Sequence, residues 1–235
     1  MLKSIFVIFI IFLMLGCSSQ KKSEETAAAE SQQDSVKTKE HTVDMSNIEK
    51  YISSSPDTMT VATIETKLGN IEIELYTIDA PKTVKNFIGL GLSGYYNNVI
   101  FHRVAKGFVI QGGDPTGTGS GGSSIYGGEF EDELNPDTKS YREGYERGVV
   151  AMANRGPNTN TSQFFIMLKD IPQMPKNYTI FGKVIKGMDV VDKIASAKII
   201  PQMGPNDGRP EKPVSMEKVI IEKRPRKINS IFESK

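Results

Sequence analysis

Polar and apolar residues alternate in short segments throughout the middle of the chain. Over residues 71–75, for example, Ile71 and Ile73 alternate with Glu72 and Glu74. Such period-two alternation is typical of a strand with one buried and one solvent-facing side. This pattern, together with short apolar runs, predicts strands at residues 60–66, 71–75, 99–104, 108–111, 148–152, 163–167, 179–184 and 219–221.

Two other segments have apolar residues at helical spacing. Asp79 is suited to the N-cap of a helix and Pro81 to its first turn, and an apolar stripe that includes Val84 and Phe87 follows them. A second helix is predicted at residues 187–195. Many short strands with only two helices predict an all-β dominated fold, a closed antiparallel eight-stranded β-barrel capped by two α-helices.

Residues 1–16 have the pattern of an export signal. Lys3 precedes an unbroken apolar run over residues 5–15, which is shorter than the ~20 residues of a membrane-spanning helix but fits a signal peptide. Gly16 and Cys17 follow, and the segment LMLGCS resembles the bacterial lipobox, in which the Cys is lipidated. We therefore expect a lipoprotein signal peptide with lipidation at Cys17; the alternative is a plain signal peptide with an incidental Cys.

The composition changes on both sides of the predicted strands. Residues 18–58 contain no glycine and a single aromatic residue, Tyr51, among many Ser, Thr, Gln, Ala and charged residues. Such a segment buries too little apolar surface to offset the entropy of ordering it, although residues 45–52 could form a short helix. The predicted organisation is the lipidated Cys with a disordered tether over residues 17–58, a folded domain over 59–225 and a basic tail over 226–235.

Charge and composition exclude several classes of protein. The chain has 29 Lys and Arg against 28 Asp and Glu, and this balance gives no electrostatic reason to expect nucleic-acid binding. A single Cys excludes an intramolecular disulfide and a four-cysteine zinc site. The chain has only two histidines, His41 and His102, and we expect neither a metal site nor a cofactor.

A glycine-rich run formally matches a nucleotide-binding fingerprint. Gly117, Gly119 and Gly122 have the G-x-G-x-x-G spacing, but the residues after them are not suited to open the helix that would hold a phosphate. No Gly-Lys-Ser/Thr follows, so the phosphate loop of nucleotide hydrolases is excluded as well. A serine-hydrolase triad would have to use His102, and no nucleophile elbow is present.

Two runs of polar and aromatic residues carry the remaining candidate chemistry. If the segment AKG after Arg103 is a turn, alternation brings Phe101, Arg103 and Gln111 to one surface. In the second run, Gln163 and Phe165 share a face at period two. Taken one by one, the arginine could form an ordinary ion pair and the phenylalanines could belong to an ordinary hydrophobic core. Only the combination of these residues indicates a site.

The two runs, at residues 101–115 and 152–166, strongly resemble the cyclophilin family of peptidyl-prolyl cis-trans isomerases. The motifs FHRV, FVIQGGD, GTGSGG and SQFFI occur in the family's order and at its spacing, and FGKV follows at residues 181–184. The resemblance extends from about residue 60 to residue 222. It implies a cyclophilin-like barrel and catalysed rotation of X–Pro bonds without metal or cofactor.

The resemblance also implies roles for individual residues. Arg103 would donate a hydrogen bond to the prolyl nitrogen, and Gln111 and Gln163 would bind the substrate backbone or orient Arg103. The residues implied to bind the substrate are Phe108, Val109, Ala153, Asn154, Phe165, Met174 and Tyr178. These ten residues are the predicted site.

The chain departs from the family's pattern at several positions. It has no Trp beside the pocket, where Gln173 and Met174 stand instead, so weak binding of cyclosporin is expected. Arg155 replaces a smaller residue, which could alter the preference beside the proline. The charged stretch 131–146 is expected to be an exposed loop that could bind a partner.

Two functions remain open from the sequence. The first is an isomerase that acts on proline-containing peptides and unfolded exported proteins, and the second is a non-catalytic peptide-binding or chaperone module on the same scaffold. The implied donor Arg103 favours the enzyme, because a module that only binds needs no such group, and it also disfavours a purely structural lipoprotein. We expect a monomer in the cell envelope, anchored through lipidated Cys17; Ser18 favours the outer over the inner membrane if the source is Gram-negative.

Overall fold

The structure is a computed structural model that describes residues 45–53 and 55–226. Cys17, the predicted signal peptide, the tether before residue 45 and the tail from residue 227 lie outside the described residues. No helix in the part of the chain that the structure describes is both long enough and apolar enough to cross a membrane.

Short strands make up most of the regular structure. In chain order they are β1 (Thr58–Thr66), β2 (Gly69–Leu75), β3 (Val99–Ile100), β4 (Arg103–Ala105), β5 (Val109–Gly112), β6 (Val149–Met152), β7 (Phe164–Met167), β8 (Ile180–Lys186), β9 (Ile199–Gly204), β10 (Asp207–Pro210), β11 (Ser215–Met216) and β12 (Lys218–Pro225). The helices are α1 (Met45–Ile52), α2 (Pro81–Leu92), α3 (Lys139–Glu143) and α4 (Met188–Ala195). The prediction of an all-β dominated fold is therefore confirmed, and the described residues contain α1 and α3 besides the two predicted helices.

The strands form one large and one small antiparallel sheet. In the large sheet the hydrogen-bonded order is β12-β1-β2-β8-β6-β7-β5-β4-β10-β9, and in the small sheet β11 pairs with β3. The hairpin of β1 and β2 is in the register that pairs Ala62 with Ile73 and Ile64 with Ile71, and these four side chains are fully buried. The alternation in the sequence therefore reports the inner face of this hairpin.

Aromatic side chains fill the centre of the core. The ring of Phe164, on β7, lies 5.5 Å from Phe87 of α2, 5.9 Å from Tyr96 and 6.5 Å from Phe181 of β8, measured between centroids. The next residue, Phe165, belongs to a separate apolar cluster on the other face of the sheet. One strand thus supplies both the core and the face on which the site is built.

The folded domain begins earlier than predicted. Ile48 of α1 is fully buried in the core, Glu49 forms an ion pair of 2.5 Å with Lys85 on α2, and the hydroxyl of Thr60 donates to the backbone oxygen of Tyr51. The short helix that the sequence allowed at residues 45–52 is therefore confirmed, and the prediction of a disordered tether is wrong for residues 45–53 and 55–58. Burial of one face of α1 offsets the entropy of ordering it, which the composition of the segment did not reveal.

The N-terminus of α2 is capped differently from the prediction. Ala80, and not Asp79, is the N-cap residue, and its side chain makes no capping bond. Asp79 instead accepts a hydrogen bond from a backbone N–H of α3. Glu133 supplies the missing acceptor, since its carboxylate oxygens lie 3.0 Å from the backbone nitrogen of Lys82 and 2.8 Å from that of Thr83.

The stretch 131–146 is anchored to the domain and is not simply an exposed loop. Besides Glu133 it contributes Tyr145, which is buried and whose hydroxyl donates to the backbone oxygen of Tyr178 at 2.9 Å. The expectation of an exposed loop is therefore wrong for these residues. Their buried contacts explain why the segment has a defined path despite its charge.

The predicted strand 99–104 is interrupted. β3 pairs with β11 and β4 with β10, so the chain leaves the small sheet and enters the large one at Phe101 and His102. Phe101 turns into the core, where its ring lies 6.4 Å from Phe164. The expectation that Phe101 shares a surface with Arg103 is therefore wrong.

Candidate active site

A cavity of about 350 Å³ lies on the face of the sheet opposite the aromatic core. Of the residues predicted from the sequence, its lining contains Arg103, Phe108, Val109, Gln111, Ala153, Asn154, Phe165, Met174 and Tyr178. The tenth, Gln163, lines a smaller adjoining cavity together with Gln111, Ala153 and Asn154. The structure thus brings all ten predicted residues to one place.

Strand pairing determines the position of the polar side chains. β4 and β5 pair with Arg103 opposite Gln111, and β5 and β7 pair with Gln111 opposite Phe165. Residues directly opposite in antiparallel strands have side chains on the same face, about 5 Å apart. The turn between β4 and β5 therefore suffices to bring Arg103 and Gln111 together.

A chain of hydrogen bonds fixes these polar groups. Arg103 Nη1 donates to Gln111 Oε1 at 2.9 Å, and Gln111 Nε2 donates to Gln163 Oε1 at 2.9 Å. Gln163 Nε2 in turn donates to the backbone oxygens of Gly119 and Gly121 at 3.0 and 2.7 Å. The glycine-rich loop thereby fixes the side-chain amide of Gln163, which in turn fixes that of Gln111 beside Arg103.

Asp114 organises the glycine-rich loop from within. Its carboxylate accepts hydrogen bonds from the backbone N–H groups of Thr116, Gly119 and Gly121 at 2.7–3.1 Å. Burial by itself would raise the pKa of Asp114, but these bonds and the Thr116 hydroxyl lower the pKa below its ordinary value. Gly121 is required here, because a Cβ atom would collide with the carboxylate. These backbone N–H groups already bind the Asp114 carboxylate, so they are not available to a phosphate, contrary to what a nucleotide-binding loop requires.

The opposite side of the cavity is apolar. Phe165 and Val109 are almost fully buried beneath it, and Phe108 and Met174 pack against the same cluster while remaining partly exposed. The ring of Tyr178 lies 5.4 Å from that of Phe165 at a nearly perpendicular angle. A cavity lined on this side by aromatic and aliphatic side chains is suited to bind a small apolar ring.

Residues of β9 and β10, which were not predicted as strands, complete the lining. Gln202, Met203 and Arg209 face the cavity, and Asp207 forms an ion pair with Arg103 in which Nη2 and Oδ2 are 2.6 Å apart. The burial pattern of β9 is exposed at four successive positions, so it carries no period-two signal. No local feature of the sequence could have linked these residues to the site.

His102 is a buried wall residue of the cavity. Neither ring nitrogen has a hydrogen-bond partner among the described residues. Burial lowers the pKa of His102 from its ordinary 6.5, and the positive charges of Arg103 and Arg209 act in the same direction against the opposing effect of Asp114. The neutral ring therefore faces the cavity at neutral pH.

This lowered pKa predicts a pH dependence of stability. Below the ordinary pKa of 6.5 the unfolded chain binds a proton at this position while the folded chain does not, so the folded state loses stability as the pH falls. The variant His102→Gln should lose less stability than the wild type between about pH 7.5 and about pH 5.5, measured by urea denaturation. Equal losses in both proteins would contradict this assignment.

The residues of this site are not arranged to hold a metal ion. Among residues 45–53 and 55–226, the structure contains no group of three or more His, Cys, Asp or Glu side chains that could coordinate one. What the cavity offers is a fixed guanidinium, two oriented amides and an apolar floor.

Comparison with known proteins identifies similar chains. The family model described as cyclophilin type peptidyl-prolyl cis-trans isomerase matches residues 58–221. The peptidyl-prolyl cis-trans isomerase CYP18-2 of Arabidopsis thaliana is 49% identical over 136 residues, which are 58% of this chain and 80% of that protein. The peptidyl-prolyl cis-trans isomerase-like 1 of Aspergillus niger is 51% identical over 144 residues, or 61% of this chain and 86% of that protein.

Solved structures agree with these relatives. The crystal structure of a cyclophilin type peptidyl-prolyl cis-trans isomerase of Cryptosporidium parvum has a TM-score of 0.62 and 41% sequence identity, covering 70% of this chain and 98% of that chain. A second crystal structure of that protein, in the presence of the dipeptide Ala-Pro, has a TM-score of 0.61 and covers 69% of this chain.

Proposed function

The chain belongs to the cyclophilin-type peptidyl-prolyl cis-trans isomerases, and we propose that Arg103 is the group through which it accelerates X–Pro rotation. The uncatalysed rotation takes tens of seconds, because amide resonance sets a barrier of about 18–20 kcal/mol. The observation that carries the proposal is a guanidinium fixed at the edge of an apolar cavity.

The proline ring occupies the apolar floor of the cavity. Phe108, Phe165 and Met174 present aromatic and aliphatic surface there, with Val109 beneath and Tyr178 at the side. Contact with this surface holds the ring while the preceding carbonyl turns, so that ring and carbonyl are no longer coplanar. The Ala-Pro dipeptide named with the Cryptosporidium parvum relative supports a proline-containing ligand.

Arg103 acts on the twisted amide. When the C–N bond rotates, resonance is lost and the prolyl nitrogen regains a lone pair that accepts a hydrogen bond. A donor fixed at that point stabilises the twisted state more than the planar one, and this difference is what lowers the barrier. Of the five N–H groups of an arginine, three donate to Asp207 and Gln111, which leaves one each on Nη1 and Nη2.

The remaining polar groups hold the substrate backbone. Gln111 lines the cavity beside Arg103, and Gln163 holds Gln111 in position. Ala153 and Asn154 form the rim between the two cavities, and the side chain of Asn154 is held by a bond of 2.9 Å to the backbone oxygen of Asn177. These residues bind the residue before the proline.

The isomerase activity on which this proposal rests is tested by exchange NMR on a peptide of the type Ala-Xaa-Pro-Phe. The full chain should accelerate interconversion of the cis and trans forms. If the folded protein binds the peptide without accelerating interconversion, the activity is excluded and the alternative of a non-catalytic peptide-binding module is the correct one.

Arg155 is expected to limit the size of the residue beside the proline. Arg155 lines the smaller cavity, and its guanidinium is held by an ion pair of 2.7 Å with Glu129 and by a hydrogen bond of 3.2 Å to the backbone oxygen of Ser120. In Arg155→Ala, kcat/KM for a peptide with Leu before the proline should rise roughly several-fold relative to one with Ala. An unchanged ratio, as expected for the exposed control Lys139→Ala, would contradict this role.

The cellular context of the proposal rests on the N-terminal sequence. The segment LMLGCS supports lipidation of Cys17 and thereby an anchor to a membrane of the cell envelope. The proposal adds that the domain is a monomer and acts on proline-containing segments of exported proteins. Cys17→Ser should abolish incorporation of a radiolabelled fatty acid and move the protein from the membrane to the soluble fraction. Retention of the label by the variant would exclude Cys17 as the site.

A further inference from the structure

Arg103 is held by a carboxylate from a distant part of the chain. Its Nε donates to Asp207 Oδ1 at 2.8 Å and its Nη2 donates to Asp207 Oδ2 at 2.6 Å. We infer that Asp207 is a positioning residue of the isomerase reaction, one that acts through Arg103 and makes no contact with the substrate. The inference rests on the proposed role of Arg103.

The backbone presents Asp207 to Arg103 from the side opposite Gln111. β4 lies between β5 and β10 in the sheet, so the guanidinium on β4 is bound by Gln111 on one neighbour and by Asp207 on the other. Pairing of Asp207 with Ala105 and of Gly208 with Val104 sets this register. Pairing of β10 with β4, the strand that carries Arg103, therefore sets the position of the carboxylate.

The β9–β10 hairpin is shaped around this position. The register of β9 and β10 shifts between Asp207 and Gly208, as in a β-bulge, and such bulges re-aim a side chain next to a site. Gly208 is required, because a Cβ atom there would collide with the backbone oxygen of Ile200. The local geometry thus favours the direction in which the Asp207 carboxylate points.

Three charge-assisted bonds define the plane of the guanidinium. The carboxylate binds the edge formed by Nε and Nη2, which is the bidentate geometry that fits both groups, and Gln111 takes one hydrogen of Nη1. The hydrogens left on Nη1 and Nη2 are those available to a substrate. Without Asp207, the same guanidinium would sit on a flexible stem held by one neutral acceptor.

The ion pair is partly protected from solvent. The side chains of Arg103 and Asp207 are 23% and 22% exposed, whereas those of the surface pair Arg147 and Asp192 are 41% and 51% exposed. Exposed pairs contribute little because water and salt screen them. The pair of Asp192 with Arg147 is therefore a matched control for an Asp–Arg ion pair outside the cavity.

The experiment is a double-mutant cycle on the full chain, followed by exchange NMR. Asp207→Ala should lower kcat by about tenfold, the usual effect of losing a charge-assisted bond, with KM almost unchanged because the apolar floor is intact. In an Arg103→Ala background the same change should have no further effect, since Asp207 then has nothing to position. The control Asp192→Asn should leave kcat at the wild-type value.

Several outcomes would overturn the inference. A wild-type kcat in Asp207→Ala, together with a strong loss in Arg103→Ala, would exclude positioning while leaving the proposed function intact. An equal loss in both backgrounds would show that Asp207 acts on the fold in general. If Arg103→Ala itself keeps full activity, the proposed role of Arg103 fails first, and the inference fails with it.

A second variant and a second measurement distinguish the loss of positioning from unfolding of the protein. Asp207→Asn keeps the shape of the side chain and removes its charge, and a smaller loss of kcat than in Asp207→Ala is expected at an unchanged unfolding temperature. In the wild type the Nε–H of Arg103 should exchange slowly with solvent in NMR spectra, and in Asp207→Ala it should exchange fast. Slow exchange in both proteins would contradict the inference.

Discussion

Replacing Arg103 by Ala is expected to reduce kcat/KM for cis-to-trans conversion by about 10²–10³-fold, the usual effect of removing one fixed donor that stabilises a transition state. The loss should fall on kcat, because the proline ring is bound by the apolar floor of Phe108, Phe165 and Met174, which the substitution leaves in place. Exchange NMR over a range of peptide concentrations separates the two constants.

Two further variants make this result specific. Arg103→Lys keeps a positive charge but loses the planar fork of N–H groups that binds both Asp207 oxygens and Gln111 and still leaves two N–H groups for the substrate, so it should remain strongly impaired. Arg147→Ala removes an ion-paired arginine outside the cavity and should keep full activity. An Arg103→Ala protein within about twofold of the wild type would be incompatible with electrostatic stabilisation by this residue.

Replacing Phe164 by Ala should have the largest effect on stability, a loss of about 3–5 kcal/mol in the free energy of unfolding. The side chain is fully buried, and its ring is in contact range of four other core aromatics, Phe87, Tyr96, Phe101 and Phe181. The substitution removes this surface from the core and leaves a cavity that rigid neighbouring strands fill only in part. Urea denaturation measures the loss.

The matched control for this prediction is Ile78, an apolar side chain that is 74% exposed. Ile78→Ala should change the free energy of unfolding by no more than about 0.5 kcal/mol. A loss below about 1 kcal/mol in Phe164→Ala would mean that the aromatic centre of the core repacks freely, contrary to the close packing described above.

Local patterns in the sequence indicated four residues of the site, Arg103, Gln111, Gln163 and Phe165, and the family resemblance supplied the other six. Arg103 and Gln111 stand opposite each other across one tight turn, and Gln163 and Phe165 share a face of a single segment. Alternation and motif spacing report relationships over a few residues, and here those relationships are also the ones that build the site. The family resemblance then supplied the roles.

Contacts between distant segments left no such trace. Glu133 caps α2 from about 50 positions away, and the burial of Ile48 orders α1, a segment whose composition by itself indicated disorder. A capping carboxylate from another segment or a single buried side chain changes no local periodicity. The predicted N-cap of α2 and the predicted start of the folded domain were therefore wrong. In the first case a residue from a distant segment caps the helix, and in the second a buried side chain of α1 completes the core.

The β-dominated class and the buried face of the β1–β2 hairpin follow from the sequence alone, because burial imposes a period of two on a strand that has one solvent-facing side. How Arg103 is held depends on contacts between distant segments. Asp207 reaches Arg103 across 104 positions from a hairpin whose first strand is exposed over most of its length. A strand with no buried face has no period, so the pairing of β9 with β10, and of β10 with β4, follows only from long-range contacts.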